Sequence, residues 1–98
     1  MNFKLRFHVL ALREWKRLDG SVRDTFKKKL AERLTDPRVP QSALHGMKDC
    51  YKIKLVRLGY RLVYRVDHAE IFVTVIAAVH RRIKARKNKV YQTAEQRL

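Results

Sequence analysis

The chain has one cysteine, Cys50, in 98 residues, so it can build neither a disulfide framework nor a thiolate metal site within itself. A reducing compartment suits it. No apolar run approaches the roughly 20 residues that a membrane span needs. The opening "MNFKLRFHVL" also lacks the apolar core of a secretory signal, and a cytoplasmic protein is expected. Acidic residues are scarce, 9 against 24 Lys and Arg. Three of them, Asp49, Asp67 and Glu70, are dispersed at predicted turns without ligand spacing, so neither a metal nor a cofactor is expected. No internal repeat and no domain linker divides the chain.

What is present is apolar residues and positive charge. Hydrophobic residues make up 46% and fall in periodic segments, which excludes a disordered basic tail. The length fits a single domain over residues 1–98. The formal charge of +15 repels itself, and that balance suits a chain whose usual partner is a polyanion or an acidic protein, with nucleic acid the leading candidate.

The periods predict the elements. In "FKLRFHV" Phe3, Leu5, Phe7 and Val9 alternate with Lys4, Arg6 and His8, the pattern of a strand with one buried face. Ala11, Trp15 and Leu18 recur at helical spacing until "DGS" interrupts them. Ser21 and Asp24 resemble a capping box for a longer helix, whose face carries Val22, Phe26, Leu30 and Leu34 and which stops before Asp36-Pro37. "DPRVPQSALHGMKD" has no period and reads as a surface connection. A hairpin follows in "YKIKLVRLGYRLVYRV", then a turn at "DHAE". The next stretch, "IFVTVIAAV", is apolar throughout, as a central strand covered on both faces would be. From His80 the chain turns basic, with six cations among residues 81–89; it reads as the end of a strand, then a loop and a short helix. The class is α+β: an N-terminal strand, two helices packed on one face of an antiparallel sheet, three further strands and a basic C-terminal tail or short helix.

The hairpin carries the functional signal. With Leu55 opposite Tyr60 across the turn, Lys54 faces Arg61 and Lys52 faces Val63. If the helices cover Tyr51, Ile53, Leu55, Leu62 and Tyr64, then Lys52, Lys54 and Arg61 share the opposite, open face. Like charges paired across strands destabilise a sheet, and residues 51–66 hold no carboxylate to relieve them. A bound phosphate would. A single lysine on a strand is ordinarily its solvated side; three converging cations point to an anion site.

Other residues have plainer readings. Trp15 and Phe26 suit the core and Cys50 a small buried or strand-edge position. The "KKK" at Lys27 to Lys29 suits a solvated helix face that adds non-specific affinity for RNA. His8, His45, His68 and His80 occupy unlike settings, and nothing in the sequence pairs them for histidine-based cleavage.

The stretches "LREWKRL", "KKKL", "LHGMKDCYKIKL" and "GYRLVYRV", with a weaker echo in "VYQTAEQRL", resemble the RelE toxins of the RelE/ParE toxin–antitoxin superfamily. The resemblance implies a RelE-like microbial RNase fold. It also implies a metal-independent endoribonuclease that cuts messenger RNA in the ribosomal A site and is held silent by a RelB-like antitoxin in a hetero-oligomer. Carried over by position, the family's site residues are Lys52, Lys54, Arg61, Arg81 and Tyr91. Arg82 and His80 are alternatives to Arg81, and "IKARKNK" lengthens the interval to Tyr91. The other implied reading is a ParE-like, non-enzymatic inhibitor of DNA gyrase on the same scaffold. A plain nucleic-acid-binding module is a third.

Overall fold

The computed structural model describes residues 3–67, 72–80 and 94–97. Its elements are β1 (Lys4–Phe7), α1 (Val9–Arg17), α2 (Gly20–Thr35), β2 (Cys50–Leu55), β3 (Tyr60–Asp67) and β4 (Phe72–His80), with a 3-10 turn at Pro40–Ser42. The four strands form one sheet in the order β1-β4-β3-β2, so β4 lies inside it, as its apolar run foretold, and β2 lies at an edge.

The class is α+β as read from the sequence, but the sheet is mixed rather than antiparallel. β1 pairs with β4 in parallel, Lys4 opposite Phe72 and Phe7 opposite Val75. A parallel pair needs a long crossover, and the helices and the hairpin together supply it. Strand periodicity reveals a buried face, not the direction of the neighbour.

Helix capping also differs from expectation. α1 begins behind His8, whose Nδ1 accepts the Leu10 N–H at 3.1 Å. The N-cap of α2 is Asp19, not Ser21. Ser21 already lies inside the helix, and its hydroxyl donates to Asp19 Oδ2 at 2.6 Å. A carboxylate two residues back captures the hydroxyl that a capping box would have used.

The main core lies between the helices and one sheet face. Ala11, Trp15 and Leu18 of the first helical segment and Val22, Phe26 and Leu30 of α2 pack with Tyr51, Ile53, Leu55, Leu62, Tyr64 and Val66. Phe26, Leu62 and Tyr64 are wholly buried. Trp15 sits between two other rings, 5.1 Å from Phe7 and 6.1 Å from Phe26, both tilted, an arrangement that aromatic quadrupoles favour.

The opposite sheet face is covered at one end. Met47, Cys50, Val63 and Ala94 are buried together there, with Leu44 against them. The stretch at residues 36–49 is therefore more than a surface connection: Pro37 and Met47 are buried, Ala43 bridges to Tyr51, and Asp49 takes φ 61° where the chain enters β2. Aperiodic apolar residues leave no sequence pattern, yet they shield backbone as well as periodic ones do.

Candidate functional site

The hairpin has the register that its sequence predicts: Leu55 pairs with Tyr60, Lys54 with Arg61, and Lys52 with Val63. Four residues make the turn, and Gly59 closes it at φ 77°, a left-handed conformation that glycine adopts without steric penalty; its N–H donates to Leu55 O at 2.8 Å. This register puts Lys52, Lys54 and Arg61 on the face away from the helices. Lys54 is exposed, while Lys52 and Arg61 are half-buried.

Electrostatics single out Lys54. The Lys52 charge beside it, partial burial, the Arg61 charge opposite and a hydrogen bond with Lys52 hold its ammonium below the ordinary lysine value of 10.5. Like charges disfavour one another's protonated forms, so this lysine releases its proton more readily than a free lysine side chain does. A cleft of about 190 Å³ opens here, lined by Lys54, Leu55, Val56, Tyr60 and Arg61. Val56 and Leu58 at the hairpin tip are 75% and 40% exposed, so cations and an apolar rim adjoin. Such a surface can neutralise a phosphate and rest against the sugar or base beside it.

Arg81, Arg82 and Tyr91 lie outside the described residues, as do His68 and Glu70. The other histidines have separate settings: His8 caps α1, His45 is exposed in the turn before β2, and His80 ends β4 opposite Tyr60. Asp49 accepts a hydrogen bond from Arg38 Nη1 at 2.9 Å. Cys50 is buried, and burial pushes its thiol up to about 11. That leaves little nucleophilic thiolate at neutral pH.

Sequence reasoning passed over two arginines that brace the site from behind. Arg38 Nη1 bonds Asp49 Oδ1 and, at 3.4 Å, Tyr51 Oη, and the Asp49 carbonyl accepts the Val66 N–H at 2.9 Å. Arg33 Nη1 bonds the Lys52 carbonyl at 3.3 Å and Tyr64 Oη at 2.8 Å, and its Nη2 bonds Ser42 Oγ at 3.3 Å. The signal for Arg33 was its position, three residues after Leu30 on the buried stripe of α2, where an apolar residue is usual.

Residues 5–85 match the family described as the ParE toxin of type II toxin-antitoxin system, parDE. Over its full length the chain is 44% identical to the mRNA interferase toxin RelE of Escherichia coli K12, of which it covers 99%. The chain belongs to the RelE toxins of the RelE/ParE superfamily. Solved structures agree. E. coli toxin RelE in the free state, carrying two arginine-to-alanine substitutions, superposes on the toxin with TM-score 0.88 at 44% identity, covering all of this chain and 99% of that one. The toxin of the intact E. coli RelBE toxin-antitoxin complex matches 80% of this chain and 95% of its own with TM-score 0.77 at 47% identity. No described helix of the toxin is long and apolar enough to cross a membrane.

Proposed function

We propose that the toxin is a cytoplasmic, ribosome-dependent endoribonuclease that cuts messenger RNA in the A site. The observation that carries this reading is the gathering of Lys52, Lys54 and Arg61 on one face of the hairpin, with the Lys54 ammonium held below its ordinary value. It accords with the mRNA interferase named among the relatives.

In the chemistry proposed, the neutral fraction of Lys54 takes the proton of the 2′-hydroxyl. The 2′-oxygen then bonds to phosphorus, and the bond from phosphorus to the 5′-oxygen breaks. Arg61, with Lys52 assisting, matches its fork to the equatorial oxygens as their charge grows. Arg81 stabilises the departing 5′-oxygen, which takes its proton from water while Lys54 returns its own to solvent, and Tyr91 stacks on a base or holds the reacting nucleotide. The products are a 2′,3′-cyclic phosphate and a 5′-hydroxyl. These groups are poorly matched to neutral pH, so chemistry in free solution is slow. The ribosome supplies orientation, which contributes many kcal/mol. Mapping of message ends in a translating extract, with and without the toxin, tests this reading: cyclic-phosphate ends only with ribosomes are expected, and 3′-hydroxyl ends overturn it.

The base assignment has a pH signature. Cleavage is expected to rise with pH and level off below the ordinary lysine value of 10.5. Because the Lys52 charge is the largest cause of the lowering, Lys52→Met should move the plateau to higher pH as well as lower the rate. A plateau that stays in place removes Lys54 as the base.

The match to the ParE description supports one other reading, gyrase inhibition. Full-length identity to an mRNA interferase weighs against it, as does a three-cation face that gyrase poisoning does not require. Primer extension after brief induction decides: whole messengers together with blocked supercoiling favour the gyrase reading.

The proposed silencing partner is a RelB-like antitoxin, acidic in the segment that wraps the toxin, which lays an amphipathic helix into an apolar groove. It displaces the basic tail or covers the cationic face. Ordering such a segment on binding buries a large surface yet leaves it open to proteolysis once released. Hydrogen exchange should slow in residues 51–66 or change in residues 80–98 on binding. No change in either segment places silencing elsewhere.

A further inference from the structure

Two of the three cations, Lys52 and Lys54, stand on β2, an edge strand held by β3 on one side only. Their repulsion of each other and of Arg61 on β3 tends to splay it. Along an edge, alternate residues turn their carbonyls outward, away from the neighbouring strand. Cys50 is one of these, and its carbonyl accepts the Leu44 N–H at 3.0 Å. Two residues on, the next is Lys52, and its partner is the guanidinium of Arg33.

Arg33 reaches this carbonyl from the buried stripe of α2. Its fork joins the Lys52 carbonyl, the Tyr64 hydroxyl and the Ser42 hydroxyl, groups on two strands and the 3-10 turn. The guanidinium also lies 5.7 Å from the centre of the Tyr64 ring. The tyrosine is fixed in turn: it is wholly buried, donates to Pro37 O at 2.6 Å and stacks on Tyr51 with ring centres 5.6 Å apart. A planar fork with five donors can satisfy three acceptors at once, whereas a lysine ammonium on a flexible stem cannot hold the same set.

We propose that Arg33 is a positioning residue for the cation cluster: by tying the Lys52 carbonyl to α2 and Tyr64, it sets how closely Lys52 and Lys54 stand together on the open face. The inference deepens the endoribonuclease reading and rests on it for the kinetic consequence, though not for the geometric one. Arg33 touches no substrate. It acts through the backbone of β2, and releasing that backbone lets the two lysines relax apart.

The experiment uses the full chain with Arg33→Met and Arg33→Lys, and two readouts. In the free toxin, NMR titration of carbon-labelled lysine follows Lys54 directly. Its midpoint is expected to rise towards the ordinary lysine value in Arg33→Met, because the Lys52 charge is the largest cause of its lowering, and to lie between in Arg33→Lys. On message-programmed ribosomes, Arg33→Met is expected to lower kcat about tenfold with KM within about twofold, a modest fraction of what misplacement of reacting groups can cost; Arg33→Lys should recover part of the loss. If Arg33→Met does not fold, Tyr64→Phe removes one of the three acceptors while keeping the ring, and a smaller rise of the Lys54 midpoint is expected. A midpoint that stays put in a folded variant overturns the proposal, as does a loss of activity that only tracks the folded fraction. A Lys54 midpoint that rises in Arg33→Met while the wild-type toxin cleaves nothing would remove the endoribonuclease reading and leave the positioning role standing.

Discussion

Arg61→Ala is expected to lower cleavage of ribosome-bound message by about two to three orders of magnitude, the range seen when one preorganised donor to a developing oxyanion is removed, with ribosome affinity changed only a few-fold. Two effects add. The guanidinium opposite Lys54 is always charged, and its fork fits two phosphate oxygens at the moment their charge increases. Its charge is also one of the causes that hold Lys54 below its ordinary value, so its loss leaves a smaller neutral fraction of the base. Affinity responds weakly because a chain with 24 Lys and Arg spreads its hold on phosphates over many contacts, each a small share of the whole. Arg61→Lys keeps the charge without the fork and should recover only part of the rate. The measurement is a single-turnover rate at saturating toxin alongside ribosome binding; equal losses in both would take Arg61 out of the chemistry and favour a plain binding module.

Phe26→Ala carries the largest expected effect on stability. The ring is wholly buried between Trp15 and the sheet. Truncations of this kind destabilise by about 3–5 kcal/mol, the lost burial adding to a cavity that the neighbours only partly fill. Domains of this size have about 5–15 kcal/mol in total, so the variant should unfold at much lower denaturant and be partly unfolded at 37 °C. Denaturant titration checks it: a fall in midpoint with an unchanged slope is expected. A loss below about 1 kcal/mol would mean that the helix layer can repack around the gap.

The hairpin was legible down to its register because three constraints agree there: strict alternation, a four-residue turn and a glycine placed to close it. Once one face must be buried, a slip of one residue would bury the lysines, so the pairing of Lys54 with Arg61 follows from the pattern alone. The helix faces through Phe26 and Leu30 were legible for the same reason. The direction of β1 was not, because alternation is identical in parallel and antiparallel strands. Nor was the second apolar cluster, whose members Met47, Cys50, Val63 and Ala94 come from three separate stretches with no common period. The roles of Arg33 and Arg38 were not legible either: the position of Arg33 on the buried stripe of α2 marks it, but the partners that define both, a strand carbonyl and Asp49, are distant in sequence.

The parallel pairing of β1 with β4 has a consequence for how the toxin is made. Lys4 waits for Phe72, a partner 68 positions later (72 − 4), and pairings of such long range form late because loop-closure entropy opposes them. The hairpin that bears the cations is local and is synthesised just before β4, but the sheet cannot close around it until that strand has left the ribosome. A nascent toxin is therefore an open, unfinished sheet until β4 has been made. The cationic face is formed before the sheet that holds it is closed.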